Sequence, residues 1–375
     1  MKPVPATYLF VTSRMRRTFG RVERRLLRVI AELVAGGATV FVICPPRSPF
    51  LDAASAVGAT IAQYRLDRFN LVRTRSRIRK YIKRYNPVVA HSTGYEADIL
   101  LRWAAKGMPV KVVSSVVCGS WPPAAAGPLG SWVHRTLDAA SISRCDAVIV
   151  DCEELKASIP AATGLPAERI VLDPPTVSLS RVTSEAAMAF QPPVGSPLVG
   201  YAGALERNRG LTLLCALPDA LASAYPGLTV VIAGEGPGRA GIAHAGQQDR
   251  VQLLGRVPSI PAVLAALDVC CFPGTGRGVP STLMEAAALG RPIVASDVPA
   301  VAEMFTDGEE IVLVAPGDSS GFAAAVRALL DDPAAARAMG ERARLRVIDE
   351  YSAVSTVQRH LALYGRLASA NEHDA

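Results

Sequence analysis

The sequence predicts an α/β protein made of two doubly wound, Rossmann-like parallel-sheet domains in series. Three observations carry this. Short β-branched runs alternate with helix-length stretches along the chain, the pattern of βαβ units with helices on both faces of a sheet. The alternation breaks once, between Asp173 and Pro197, and then restarts. The chain has 375 residues, 50% hydrophobic and 19% charged, which is enough apolar material for two cores and too much for a disordered chain. Its Gly and Pro are scattered rather than periodic, which excludes collagen-like and linker-like architectures.

Taken in order, the first half offers strands at Tyr8–Thr12, Thr39–Cys44, Val88–His91, Val110–Ser115 and Ala147–Val150. A helix over Val22–Ala35 stops at Gly36-Gly37, where a left-handed residue ends helices well. A second helix, Leu71–Tyr85, carries Arg73, Arg77, Lys80 and Arg84 at i, i+4, i+7 and i+11, so one stripe of it is cationic. The Pro-containing stretches Asp173-Pro174-Pro175 and Gln191–Pro197 then read as a boundary. Beyond it come strands Leu198–Ala202, Thr229–Ala233, Val251–Leu254, Val269–Phe272, Ile293–Ala295 and Ile311–Val314, and a last helix around Val354–Leu367. The expected organisation is therefore an N-terminal domain at 1–180, a linker at 181–197, a second domain at 198–352, and a C-terminal helix and tail at 353–375. Ligands of doubly wound sheets bind beyond the carboxyl ends of the strands, so the site is expected in a cleft between the two domains.

Composition narrows the function further. The seven cysteines form no C-x-x-C pair and have no histidine at zinc spacing, which argues against a metal knuckle or a thioredoxin motif and fits a reduced, cytoplasmic setting. The apolar run at the N-terminus is too short for a signal peptide, and nowhere do about 18 apolar residues run unbroken as a membrane span requires. The net charge of +7 is unevenly spread. Residues 1–180 hold roughly 25 Lys and Arg against roughly 13 Asp and Glu, whereas residues 181–375 hold roughly 15 against 20. The runs Arg14–Arg28 and Arg73–Arg84 make the first half a cationic surface that attracts anionic lipid or phosphorylated substrates; solvated helix faces are the bland alternative. Little aromatic interleaving and no nucleic-acid motif argue against a nucleic-acid partner. His134, His244 and His360 have no partner at metal or triad spacing. The acidic cluster Asp151–Glu154 reads as a helix start, and Cys145 and Cys152 read as core.

The stretch Gly278–Asp297 is the most informative. It reads as a loop after strand Val269–Phe272, a helix opening near Pro280 with free backbone N–H groups, Glu285 after the first turn, and Gly290 as the stop before the next strand. A helix N-terminus aimed at a cleft is an anion site, and a glutamate just inside it can accept two hydrogen bonds from a vicinal diol such as ribose. A surface glutamate compensating the helix dipole would look the same in isolation.

This stretch, together with Gly203–Gly210, Val231–Pro237, Leu254–Pro258, Asp307–Glu309 and Val314–Asp318, resembles the retaining family 4 glycosyltransferases of the GT-B fold. The resemblance covers nearly all of 198–365. In the first half it continues in register at Gly20–Arg24, at Val89–Gly94 with its His91, and at Gly119. It implies a nucleotide-sugar donor on the C-terminal domain, an acceptor on the N-terminal domain, and transfer with retention and without a metal or other cofactor. Carried over, the donor would meet Gly20, Arg21, Gly203, Arg209, Glu235, Gly255, Arg256, Val257, Arg277, Ser281, Thr282 and Glu285. Of these, Glu285 would hold the ribose, Gly255–Val257 would border the base, and Ser281 and Thr282 would offer N–H groups near the diphosphate. Arg209, Arg277, Cys118 and His91 occupy the positions expected to be catalytic.

The departures from the family pattern fall where the chemistry is expected. Ala204 stands where the family has an Arg, Arg209 where it has a Lys, and Arg277 where it has a Glu. Cys118 stands in place of a His, Arg21 in place of a glycine, and Thr93 in place of a second His. Arg277 can restore the cation missing at Ala204, or bind an acidic sugar, or mark a decayed site. The leading expectation is a cytoplasmic glycosyltransferase, with the inner face of the membrane as a candidate surface. It would act on a glycan or lipid-linked acceptor in cell-envelope polysaccharide biosynthesis. A catalytically impaired partner subunit is the alternative, and a nucleotide-sugar epimerase on the same fold is a third reading.

Overall fold

The computed structural model describes residues 6–13, 21–46, 48–63, 71–117, 136, 138–192, 196–245, 250–276 and 278–373. The chain divides into two compact units, one formed by Met1–Pro174 with Ala353–Ala375, the other by Pro175–Ser352.

In the first unit, β1 (Thr7–Thr12), α1 (Arg21–Ala35), β2 (Thr39–Cys44), α2 (Pro49–Ala56), β3 (Thr60–Gln63), α3 (Leu71–Tyr85), β4 (Val89–Thr93) and α4 (Tyr95–Ala104) follow one another. They are succeeded by β5 (Lys111–Val116), β6 (Ala147–Val150), α5 (Glu153–Thr163) and β7 (Ile170–Leu172). All seven strands are parallel, in the order β3-β2-β1-β4-β5-β6-β7. Strands β1, β2 and β6 are mostly apolar, and β4 and β5 bury polar residues such as His91 and Ser114 among their apolar ones; helices cover both faces, and two apolar layers result.

The second unit begins with α6 (Leu179–Ala186) and continues through β8 (Leu198–Ala202), α7 (Leu217–Ala220), β9 (Thr229–Ala233), α8 (Arg239–Ala245), β10 (Val251–Gly255) and α9 (Ile260–Ala266). Then come β11 (Val269–Phe272), α10 (Ser281–Ala288), β12 (Ile293–Ser296), α11 (Pro299–Ala302), β13 (Val312–Val314), α12 (Ser319–Asp331) and α13 (Pro333–Glu350). Its six-stranded sheet has the order β10-β9-β8-β11-β12-β13. The strand order reverses between β8 and β11, which makes their carboxyl ends the natural ligand position.

Helix α14 (Ala353–His373) belongs to the first unit. It is fastened by Asp173, 1% exposed, whose carboxylate accepts from Arg25 (2.9 Å) and Arg359 (2.8 Å). The stretch 181–197, read as a linker from its prolines, instead carries most of α6, which packs on α9 and α10 within the second unit. Its Leu179 and Val182 lie on the face turned to the core, and the Ser259 hydroxyl donates to the Glu185 carbonyl at 2.9 Å.

Candidate functional site

The carboxyl edge of the second sheet is built from backbone before any side chain enters. After β8 the chain turns at Gly203, whose N–H donates to Ala233 O at 2.9 Å. Gly234 then runs so close beneath it that a Cβ there would lie 1.8 Å from Gly203 O. Gly234 N–H in turn donates to Gly255 O at 2.6 Å. The loops after β8, β9 and β10 are thus stacked directly on one another, which only glycine at 234, with φ of 132°, permits.

Three of the expected donor residues, Gly203, Arg209 and Thr282, gather at the β8/β11 crossing. The Thr282 hydroxyl lies 3.1 Å from where a Cβ on Gly203 would sit. Arg209 precedes Gly210, a left-handed residue (φ 63°) pressed against Pro273 O, and so lies beside the loop after β11, within ordinary contact of Gly274. Thr275 N–H donates to Asn208 O at 2.9 Å, tying the two loops together. Arg209 pairs with Glu206 at 2.9 Å, and its Nε is buried without a hydrogen-bond partner. A small pocket here is lined by Tyr201, Arg209, Phe272, Gly274, Gly276 and Pro280, among others. Tyr201 donates to Ala204 O at 2.9 Å, fixing the exposed Ala204 in the turn. Burial pushes its phenol up to about 12.

Helix α10 opens at Pro280, which has extended dihedrals and no side-chain cap. The N–H groups of Ser281 and Thr282 have no acceptor within the helix, as at any helix start, and carry the positive end of its dipole. One turn on, Glu285 is 8% exposed and accepts from Arg181 Nη2 at 2.5 Å. Arg181 also reaches Glu185 at 2.9 Å. Burial works against the Arg181 charge, but Glu285 and then Glu185 outweigh it and hold the guanidinium above its ordinary value. Arg181 escaped the reading of the sequence because it lies 104 residues from Glu285, inside the stretch taken as linker. Glu235 pairs with Arg239 at 3.1 Å, with its carboxylate against Gly255, so these two predicted residues are also neighbours. Arg256 is exposed and Val257 half-buried on the same loop.

His91 belongs to a different environment. It is 2% exposed on β4 of the first unit, with Nδ1 2.5 Å from Tyr364 Oη and Nε2 2.8 Å from Ser115 Oγ. Burial, then His360 and Arg25, lower its pKa well below the usual histidine value. Nδ1 thus ties β4 to α14 and Nε2 ties it to β5, so both ring nitrogens are engaged within the first unit. His360, which has no partner at metal or triad spacing in the sequence, stacks on His91 with centroids 6.0 Å apart and lies 3.7 Å from Asp173. Gly20, Cys118, Gly119, His134 and Arg277 lie outside the described residues, and of Arg21 only the backbone, at the start of α1, is described. Among the described residues no group of three or more His, Cys, Asp or Glu side chains is placed to hold a metal, and no helix is long and apolar enough to cross a membrane.

Two family descriptions match this chain: a glycosyl transferase 4-like domain over residues 20–176 and glycosyl transferases group 1 over residues 196–332. The first match falls almost wholly in the first unit and the second in the second unit. A glycogen synthase of Mycobacterium tuberculosis (strain ATCC 25618 / H37Rv) is 34% identical over 185 residues, which span 46% of this chain and 44% of that protein. A 2-deoxystreptamine glucosyltransferase of Streptomyces kanamyceticus is 31% identical over 182 residues, 47% of each chain. The match thus spans less than half the length of these relatives. In fold, the crystal structure of Anabaena Alr3699/HepE in complex with UDP superposes with a TM-score of 0.77 at 16% identity, covering 96% of this chain and 100% of that one. The expected GT-B fold is borne out, with two parallel-sheet α/β units of seven and six strands. The site assembled at the β8/β11 crossing lies within the group 1 domain.

Proposed function

We propose that this protein transfers a sugar from a nucleotide-sugar donor to a glycan or lipid-linked acceptor, with retention and without a metal. The observation that carries the reading is the convergence at the β8/β11 crossing. Arg209 with its unpartnered Nε, the opening of α10 at Ser281 and Thr282, and Glu285 stand at one edge of one sheet. A carboxylate offers about four acceptor positions, so one Glu285 group accommodates both Arg181 and a ribose diol. The diphosphate would lie between Arg209 and the N–H groups of Ser281 and Thr282, and its charge grows as the glycosidic bond breaks. A guanidinium and a helix N-terminus beside that position would stabilise the departing nucleoside diphosphate, once Arg209 shares or releases Glu206. That the related fold of HepE was crystallised with UDP supports a nucleotide on this edge.

The acceptor reading rests on the basic first unit. Helix α3 carries seven cations and no acid, and juxtamembrane cations contribute about 1 kcal/mol each at an anionic surface. A cytoplasmic protein working at the inner leaflet on a lipid-linked acceptor of the cell envelope fits that charge. Binding to anionic vesicles at low salt checks this part, and indifference to them contradicts it.

The experiment for the transfer itself is turnover with a panel of nucleotide-sugars. Slow donor hydrolysis or transfer, abolished by Glu285→Ala, is expected. Tight nucleotide binding without turnover on any acceptor would favour a non-catalytic partner subunit. The Arg209–Glu206 pair, which already occupies the site's cation, is the observation on that side.

A further inference from the structure

A cavity of the first unit lies beside α3, over the carboxyl-terminal halves of β2 and β3. Its volume is about 280 Å³, close to the lower end for small-molecule sites, about 300 Å³. The floor is Ile43 and Ala62, which are register partners on β2 and the edge strand β3. Tyr81 and Tyr85 form the wall, and Tyr85 is held by stacking on Phe41 at 3.9 Å between centroids. Arg77, Lys80 and Arg84 stand exposed at the rim, and among the described residues no acid lines the cavity.

The seven cations of α3 are not equivalent. On one flank, Arg79 donates to Ala104 O and Lys106 O at 2.8 Å each, and Arg75 donates to Trp103 O at 3.2 Å, so these two close the carboxyl end of α4. Thr74, Ile78 and Ile82 are buried on the sheet side. On the opposite flank, beside the tyrosines, lie Arg77, Lys80 and Arg84. Among the described residues Lys80 forms no ion pair, and Arg84 only stands over the Tyr85 ring at 5.4 Å. Like charges one turn apart repel, and this helix carries no acid to balance them. An anion at the rim offsets that repulsion.

We propose that this cavity of the first unit is a binding site for an organic phosphate. The phosphate meets Arg77, Lys80 and Arg84, and the body of the ligand stacks on Tyr81 and Tyr85 over Ile43 and Ala62. The volume holds a compact polar body such as a sugar or a lipid headgroup and has no room for acyl chains. A soluble phosphorylated metabolite and a phospholipid headgroup share this chemistry.

Titration of the full chain with glucose 6-phosphate, with glucose as the uncharged control, and sedimentation with phosphatidylcholine vesicles with and without phosphatidylglycerol separate the two sources. Lys80→Ala/Arg84→Ala removes the rim, and Ala62→Leu fills the floor at unchanged charge. Arg73→Ala/Lys83→Ala removes equal charge from two residues of the helix that do not line the cavity. Thermal melting reports whether each variant folds, and the two rim substitutions are exposed, so the test survives if Ala62→Leu does not fold. Binding of glucose 6-phosphate but not glucose, weakened about tenfold or more by the rim and floor variants and less than twofold by the control pair, is the expected result for a soluble ligand. The same pattern with phosphatidylglycerol vesicles alone assigns the site to a headgroup. Binding of neither probe, or binding that tracks only total charge, overturns the proposal.

Discussion

Glu206→Gln and Arg209→Ala are predicted to move diphosphate binding in opposite directions. Arg209 is 18% exposed and Glu206 50% exposed, and their 2.9 Å pair is the competitor that an incoming diphosphate must displace or share. A half-exposed pair of this kind contributes about 0.2–1 kcal/mol. Neutralising Glu206 releases that much, so UDP binds about 1.5- to 5-fold more tightly to the glutamine variant. Removing the guanidinium costs a charge-assisted hydrogen bond of about 1.5–3 kcal/mol, which weakens UDP about 10- to 150-fold. Calorimetric titration of both variants with UDP, and with uridine as the control lacking phosphate, is the assay. Uridine affinity stays within about twofold in both variants, because neither side chain is assigned to the nucleoside. Weaker UDP binding in Glu206→Gln, or equal losses for UDP and uridine in Arg209→Ala, would refute the assignment of Arg209 to the diphosphate.

Other consequences follow from the packing. Arg102 is fully buried and its pair with Asp138 is shielded from solvent, so Asp138→Ala strands a buried charge and should cost about 3–5 kcal/mol in urea unfolding. Gly234→Ala sets a Cβ 1.8 Å from Gly203 O at a φ of 132°, and a loss of more than about 2 kcal/mol with a matching fall in melting temperature is expected. His91 and His360 have lowered pKa values, chiefly from burial, and are buried neutral. The unfolded chain takes up protons as pH falls through about 6.5 while the folded chain does not, so stability is full above that pH and declines below it. The slope is at most about 1.4 kcal/mol per pH unit per histidine, measured by urea titrations between pH 7.5 and 5, and His360→Gln should flatten it.

How much of this was legible depends on how far apart the interacting residues lie in sequence. The central strands are continuous apolar runs, so Thr39–Cys44, Ala147–Val150, Leu198–Ala202, Thr229–Ala233 and Val269–Phe272 read directly to the residue. Strands β3 and β7 did not, because they are only four and three residues long at the two edges of the sheet. In β3, Thr60 and Gln63 also dilute the apolar signal. Helix α6 had a readable spacing in Leu179, Val182 and Ala186, but its proline-rich flanks masked it. The carboxyl edge of the second sheet was legible through its glycines and Glu285, whose spacing is local. What the sequence could not show was the partner of each group. Arg181 reaches Glu285 across 104 residues, and Tyr364 reaches His91 across 273. In the second case the sequence offered the histidine and not the tyrosine that holds it.

The measurement that tests the central claim most directly is the thermal stability of the purified protein against a panel of nucleotide-sugars in excess chelator, repeated with Glu285→Ala and Arg209→Ala. A ligand at 100 times its dissociation constant adds about 2.7 kcal/mol to the folded state. The account predicts a shift with one nucleotide-sugar that persists in chelator and disappears in both variants. No shift with any donor, or a shift that both variants retain, would contradict a donor site at the β8/β11 crossing.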